Sequence, residues 1–365
     1  MAVGVEPSRA INLKDRAAWR SALESPRPVL AHLNGDTTWL LQLPIPASAG
    51  GAPTGVRSKK KKAARRSRFN ILIDPWLQGP QSDVASWFST QWHVVEPAVQ
   101  TIQELEEVLA DLGDGGASSG TTQIDCVAIS HEFTDHCHQA TLTELPRGVP
   151  IVATEKAADL IRSWGHFDTV KVTPGFSSAT TDWREELVDQ TGTLPPWLGI
   201  GRVITEGNAL YYHSAVIIAF DLGHSPNQRA TRSKDTATQQ RSEAVIYSPH
   251  GIKGPDLDCI RAAGIKTLAL LHGLDDVRIW MTAQLNLGAL NGIQAVRASG
   301  AKYWIATHDE TKKGGGLISW LLQRTTYSLR DAVETEKAKE METEEDKILD
   351  YEFVELGSGD GMILT

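Results

Sequence analysis

Two hydrophobic periods alternate along the chain. Short apolar runs of strand type, "TWLLQLPI" (38–45), "FNILIDPW" (69–76) and "IDCVAIS" (124–130), are separated by segments with helical spacing. "TIQELEEVLADL" (101–112) has the amphipathic pattern of a helix, and "DGGASSGTT" after it that of a loop. "ATLTELP" predicts a short helix, "PIVATE" a strand, "KAADLIRSWG" a helix and "TVKVTP" a strand. The second half keeps the style. "NALYYHSAVIIAF" (208–220), "EAVIYSP" (243–249), "KTLALLHG" and "KYWIATH" predict strands. "DLDCIRAAG", "LGALNGIQAVRASG" and a closing "GLISWLLQRT" predict helices. The alternation points to a layered α/β fold with no internal repeat.

The polar residues fall at telling places. Four strand-like runs lead directly into a histidine or aspartate: "ILIDP", "VAISH", "VIYSPH" and "YWIATH". Strand ends are where loops gather polar side chains into a site held by a rigid sheet. One such ending means little; four in one chain suggest a shared centre.

Composition narrows the setting. The 41% hydrophobic and 22% charged fractions are ordinary for a soluble globular protein. A formal charge of -9 argues against general nucleic-acid binding by the folded body. The start, "MAVGVEPSRAINLKD", has no apolar run of signal-peptide type, and no segment approaches the length of a bilayer span. Cys126, Cys137 and Cys259 are widely spaced and odd in number, which fits a reducing cytoplasmic setting. Two segments depart from the average. Residues 47–68, "ASAGGAPTGVRSKKKKAARRSR", predict a disordered insertion. Its basic part (57–68) is either a plain solvated loop or a polyanion-binding or nuclear-targeting patch. The acid-rich "DAVETEKAKEMETEEDKI" (331–348) makes residues 331–365 a C-terminal helix or tail appended to one domain over 1–330. "GASSG" (116–120) matches G-x-S-x-G only by chance, lacking a strand-turn-helix context.

The pieces "ILIDPW", "VAISHEFTDHCHQATLTELPRGVPIVATEKAADLI", "AVIYSPHGI" and "YWIATHDE", in that order over roughly 69–310, resemble the metallo-β-lactamase superfamily. Within it they are most similar to the branch related to ascorbate-6-phosphate lactonase. The resemblance implies a four-layered αββα sandwich with the site at the sheet edge. In the family motif H-x-H-x-D-H, His131 matches the first histidine, Phe133 stands where the second should be, and Asp135 and His136 match the D-H pair. His308 matches the late histidine, and His250 of "SPHG" replaces the usual bridging aspartate. The first metal position would keep only His131 and a candidate in His213 of "YYHSA". The second keeps Asp135, His136 and His308 and gains His250, with His138 as a further ligand or outer partner. Such a set suits one divalent transition ion, zinc first, with manganese or iron as alternatives. Asp74 at the end of "ILID" is either the carboxylate that fixes a ligand histidine's tautomer or a turn residue before Pro75. His32, His166 and His224 are expected to make only local hydrogen bonds.

The chemistry implied is hydrolysis of an ester, lactone or phosphoester by a metal-activated water. Asp135 would serve at the metal, and His131, left without a first metal, would act as general base or orient the water. Trp87, Trp92 and His93 in 78–97 would either wall a small-molecule pocket or simply pack. Lys312 and Lys313, ahead of a glycine run, would face an anionic substrate or sit in an exposed loop. The rival reading is a non-catalytic scaffold: the same fold with a decayed site and a partner-binding surface, favoured by Phe133 and the lost bridging aspartate.

Overall fold

Thr101 shows how locally encoded these elements are. Its hydroxyl accepts from Glu104 N at 3.1 Å and caps helix Ile102–Leu112, which buries Ile102, Leu105, Leu109 and Leu112 along one face. The computed structural model describes residues 10–47, 66–82, 87–113, 122–177, 182–189, 191–204, 212–223, 242–279, 283–315, 322–340 and 351–365. Residues 48–65 of the basic segment, including Lys59–Lys62, lie outside these, as do "GASSG" and His224.

Two large sheets carry the fold. The eight-stranded sheet runs, in spatial order, Ile11–Asn12, Asp360–Ile363, Val29–His32, Trp39–Pro44, Arg68–Ile73, Cys126–Ile129, Ile151–Ala153 and Val170–Val172. The six-stranded sheet runs Glu352–Val354, Tyr303–Ile305, Lys266–His272, Glu243–Ser248, Ser214–Phe220 and Leu198–Ile204. Both faces of each sheet are apolar, so the central strands are buried without alternation and side-chain direction sorts them. Trp39, Leu41, Ile71, Ile73 and Ala128 of the first sheet share one core with Val216, Ile218, Val245, Tyr247, Leu271 and Ile305 of the second. The intervening residues turn outward. Leu40, Leu72, Val127 and Ile129 pack under helices Arg16–Glu24, Ile102–Leu112 and Glu155–Ser163. Ala215, Ile217, Ile246, Leu270 and Trp304 pack under Trp183–Leu187, Asp258–Ala262 and Ala289–Ser299. Three cores between four layers make an αββα sandwich. Among the described residues, no helix is long and apolar enough to cross a membrane.

Two expectations fail. Residues 351–365 are no tail: Glu352–Val354 pairs in parallel with Tyr303–Ile305, and Asp360–Ile363 sits inside the larger sheet between Ile11–Asn12 and Val29–His32. Met362 and Leu364 are buried in the inter-sheet core, so apolar burial at the end outweighs the acidic run before it. Of the expected closing helix "GLISWLLQRT", the described part, Leu322–Thr325, is a strand antiparallel to Asp276–Ile279. Strand pairing decides it, since Leu322 is only half-buried and Gln323, Arg324 and Thr325 are exposed.

Parallel pairing sets up the site. Arg68–Ile73 is parallel to Cys126–Ile129, and Glu243–Ser248 to Lys266–His272, which is parallel to Tyr303–Ile305. Parallel neighbours end together, so the loops that follow Ile73, Ile129, Ser248 and Ile305 gather at one edge.

Candidate metal centre

Three histidines face one another there. The ring centroids of His136, His250 and His308 form a near-equilateral triangle with sides of 4.9, 5.0 and 5.0 Å. Each has its Nδ1 tied to an oxygen of a different element. His136 Nδ1 donates to Asp74 Oδ2 at 2.7 Å, His250 Nδ1 to Asn286 Oδ1 at 2.7 Å, and His308 Nδ1 to Asp36 Oδ1 at 3.2 Å. An acceptor at Nδ1 puts the proton there and leaves Nε2 as a lone pair, the tautomer a metal ligand needs. Asp135 completes the set, its Oδ1 3.6 Å from His136 Nε2 and its Oδ2 3.8 Å from His308 Nε2. Asp135, His136 and His308 offer ligand atoms within 4.8 Å of one another.

The donor chemistry fits a cation. His136 Nε2 and His250 Nε2 stand 3.0 Å apart, and with both Nδ1 atoms protonated their lone pairs would face directly. Such a contact is repulsive unless a proton or a metal ion lies between. Without an ion the proton is the answer: burial disfavours charge on His136, but Asp135 and Asp74 outweigh it and raise its pKa. For His250, burial and the neighbouring His136 and His308 push the pKa well below the usual value. Burial and Lys312 lower that of His308.

The backbone is bent to make the centre. Asp74 and His308 are the non-glycine residues with positive φ among those described, at 42° and 60°. Such backbone persists where surrounding bonds hold it. Asp74 Oδ1 accepts from Ser130 N at 2.7 Å while its other oxygen holds His136 and the Ser130 hydroxyl. His308 N donates to Asp36 O at 2.9 Å, and Thr307 Oγ1 donates to the same carbonyl at 3.0 Å.

Several expected residues are placed differently. His131 lies beside the triad, 4.6 Å from His250 and 5.2 Å from His136 between ring centroids, with a nitrogen within reach of theirs. Its Nε2, however, donates to Tyr212 O at 2.9 Å, and its Nδ1 contacts Ser130 Oγ at 2.8 Å. Neither nitrogen is open to a substrate water, so the general-base role is withdrawn. Phe133 stacks on His131 at 5.9 Å and meets Tyr212 at 5.0 Å, so an apolar ring stands where the motif's second histidine would be, while His131, His136 and His250 still offer ligand atoms within 4.8 Å of one another. His138 points away: its Nδ1 pairs with Thr141 at the start of helix Gln139–Leu142. His213 contacts the Leu285 backbone, outside the triad.

The proposed pocket residues also divide. Trp87 is 71% exposed and packs on Phe88; Trp92 is 39% exposed. His93 stacks on Trp76 at 3.7 Å and reaches Glu310 Oε2 at 2.6 Å, while Glu310 Oε1 accepts from Val94 N and Val95 N. Strand Lys313–Gly315 pairs with Thr90–Trp92, so the two candidate pocket loops form one clasp. Lys313 is exposed on it. Lys312 turns inward instead, its Nζ 2.9 Å from Asp135 Oδ2 and 2.8 Å from Asp36 Oδ2. With two carboxylates on its ammonium it has no charge left to offer an anionic substrate, and that role is withdrawn.

Sequence reasoning missed Asp36, Asn286 and Glu310. Asp36 sits in the hairpin turn between Val29–His32 and Trp39–Pro44, where Asn34 Oδ1 accepts from Asp36 N and Thr38 N and Gly35 takes φ 75°. "NGD" between two apolar runs was a readable turn signal, though not a readable partner for His308.

A pH response follows. His131, His250 and His308 have lowered pKa values, through burial first, as do the buried His32 and His272. Below their unfolded pKa near ~6.5 the unfolded chain binds protons that the folded chain refuses, so stability falls as pH falls. His136 runs the other way: its contribution is full below ~6.5 and is lost as pH rises through its raised folded pKa. The lowered groups are the more numerous. Thermal unfolding of metal-free protein is therefore expected to show a clear fall in Tm between pH 7 and 5, on the order of 1.4 kcal/mol per pH unit for each net proton. A flat Tm across that range would contradict the lowered pKa values of His131, His250 and His308.

No family model matches the chain, and no curated protein matches it. Solved structures do. An isothiocyanate hydrolase from Delia radicum gut bacteria is 13% identical with a TM-score of 0.48, covering 92% of this chain and 99% of that one. Igni18, a metallo hydrolase from Ignicoccus hospitalis, is 10% identical with a TM-score of 0.47 over 92% and 97%. The metallo-beta-lactamase fold protein YhfI from Bacillus subtilis is 11% identical with a TM-score of 0.43 over 92% and 98%. Likenesses of this size do not say which reaction the chain performs; the layering rests on its own cores.

Proposed function

We propose that the chain is a metal-dependent hydrolase with one divalent ion, zinc by preference, held by His136, His250, His308 and Asp135. One observation carries this: three imidazoles with ring centroids within 5.0 Å of one another are each fixed at Nδ1 by an oxygen from a separate element, with the Nε2 atoms of His136 and His250 3.0 Å apart and those of His136 and His308 beside the Asp135 carboxylate. Three nitrogens and one oxygen suit Zn²⁺ and, in a more open geometry, Fe²⁺ or Mn²⁺. Such an ion lowers the pKa of its water toward neutrality and polarises an ester or phosphoryl oxygen.

The chain's own groups do the rest. Burial opposes charge on Asp135, but Lys312, His136 and His308 hold it ionised well below the usual carboxylate range. An anion so stabilised is a weak base, so Asp135 orients a water more than it takes its proton. Asp74, Asn286 and Asp36 keep the three ring planes set. The substrate is a small ester, lactone or phosphoester, in keeping with the lactonase-like branch the motifs resemble. The scaffold reading retains one specific support, the closing of the first position by Phe133 and the His131–Tyr212 bond.

Metal content per chain, by plasma mass spectrometry on protein purified without chelator or histidine tag, separates the two. One tightly held ion per chain is the expected result; none after reconstitution with zinc, manganese or iron would leave the scaffold. Phe133→His is expected to leave the content at one. His131 Nε2 stays engaged by Tyr212, so a restored histidine alone does not rebuild the first position. A rise to two in that variant would contradict the geometry.

A further inference from the structure

Lysine is almost never buried without partners, and Lys312 has two. Its side chain is 7% exposed, and its Nζ lies 2.8 Å from Asp36 Oδ2 and 2.9 Å from Asp135 Oδ2. Both carboxylates also attend His308, Asp36 at Nδ1 and Asp135 within 3.8 Å of Nε2. The ammonium thus stands beside the proposed ligands, between two carboxylates, where a cation bridging them would stand. Asp135 is divided: Oδ2 faces Lys312 and Oδ1 is the oxygen nearer His136 Nε2.

Charge counting gives this placement its consequence. Asp36 and Asp74 are fully buried and Asp135 nearly so; Lys312 pairs with Asp36 and Asp135, and Asp74 holds His136. With the histidines neutral, three carboxylates and one ammonium leave two negative charges, the amount one divalent ion cancels. A second divalent ion would leave the buried cluster with two excess positive charges beside a fixed ammonium, at a large desolvation cost. We infer that the Lys312 ammonium is a resident cation occupying the place of a second metal ion between Asp36 and Asp135, which limits the centre to one ion.

The inference rests on the single-ion reading above, and metal stoichiometry separates the two. Native protein, Lys312→Ala and Lys312→Ala/Asp36→Asn would be loaded with excess zinc, freed of loose metal on a chelating resin, and measured for zinc per chain and for Tm with and without zinc. The expected contents are one, two and one. The Tm of Lys312→Ala should be depressed without zinc and restored by it, because the ion replaces the missing charge. The double variant, which loses one charge of each sign, should gain less from zinc than Lys312→Ala does.

One zinc in Lys312→Ala, or two in the native chain, would overturn the role given to Lys312 and leave the hydrolase reading standing. So would a Lys312→Ala chain that stays unfolded in excess zinc, since a second ion should rescue it. No zinc in the native chain would overturn the hydrolase reading itself, and this inference with it.

Discussion

His136→Ala is expected to give a folded protein that holds no stoichiometric metal and hydrolyses no ester, lactone or phosphoester above background. His136 is the member of the centre with the most connections. It touches His250 at 3.0 Å and Asp135 at 3.6 Å through Nε2 and holds Asp74 at 2.7 Å through Nδ1. Losing an outer partner of a ligand costs about 10–100-fold in metal affinity, and losing the ligand itself should cost more. The fold should survive because Asp74 keeps the Ser130 amide and hydroxyl. The lost packing should lower stability by roughly 3 kcal/mol. His138→Ala, two positions on, is the informative control. His138 caps a four-residue helix and bonds Thr141, so its loss should cost about 1 kcal/mol and leave metal content and turnover unchanged. Metal analysis, circular dichroism and a hydrolysis screen on both variants check this. If His136→Ala kept its metal, the triad would not be the centre; if His138→Ala lost it, the assignment of His138 to a cap would fail.

The legible part of this centre was the part written along single strands. Runs such as "VAISH" and "YWIATH" combine a buried apolar stretch with a polar residue at its end, and both facts are local. Parallel pairing then brings those ends together, so reading each strand separately was enough to find Asp74, His131, His250 and His308 together, and the resemblance to the H-x-H-x-D-H motif added Asp135 and His136. Roles that depend on contacts distant in sequence were not legible. His131 and Phe133 follow the same strand, but the partner that occupies His131 is the carbonyl of Tyr212, 81 positions away. Asp36 reaches His308 across 272 positions from a turn whose sequence announces only a turn. Lys312 stands next to a glycine run that suggested an exposed anion site. Its burial is decided by two carboxylates, one on the N-terminal hairpin and one after a central strand. The C-terminal strands were hidden for a different reason. The acidic run over 331–348 was carried on to residue 365, although Val354 and Leu356, then Met362 and Leu364, recur at the two-residue spacing of strands.

Asp36→Ala should be the most damaging single change outside the proposed ligands. Asp36 is fully buried and performs three tasks at once. Its carboxylate faces Lys312 Nζ at 2.8 Å and His308 Nδ1 at 3.2 Å, and its carbonyl receives His308 N and the Thr307 hydroxyl. The carbonyl contacts survive the substitution; the two side-chain contacts do not. Lys312 would keep Asp135 alone, and breaking one arm of a buried ion pair costs roughly 3–5 kcal/mol because the remaining charge loses its compensation. Burial alone would raise the pKa of Asp36, yet Lys312 and His308 hold it far below the carboxylate range, the sign expected of a group whose ionised form stabilises the fold. That contribution is present above the unfolded pKa of ~3.9 and is lost only as pH falls toward the depressed folded value, so the variant should be weaker than the native chain throughout pH 5–8. His308, no longer held at Nδ1, gains freedom to turn, and metal affinity should fall by a further 10–100-fold or so. Asp36→Asn separates the two effects. Its side-chain oxygen can still accept from His308 while its charge is gone, so it should lose stability but keep most of the metal affinity. Chemical denaturation and zinc titration of both variants test the division. Equal zinc affinity in Asp36→Ala and the native chain would mean that His308 needs no anchor from the hairpin.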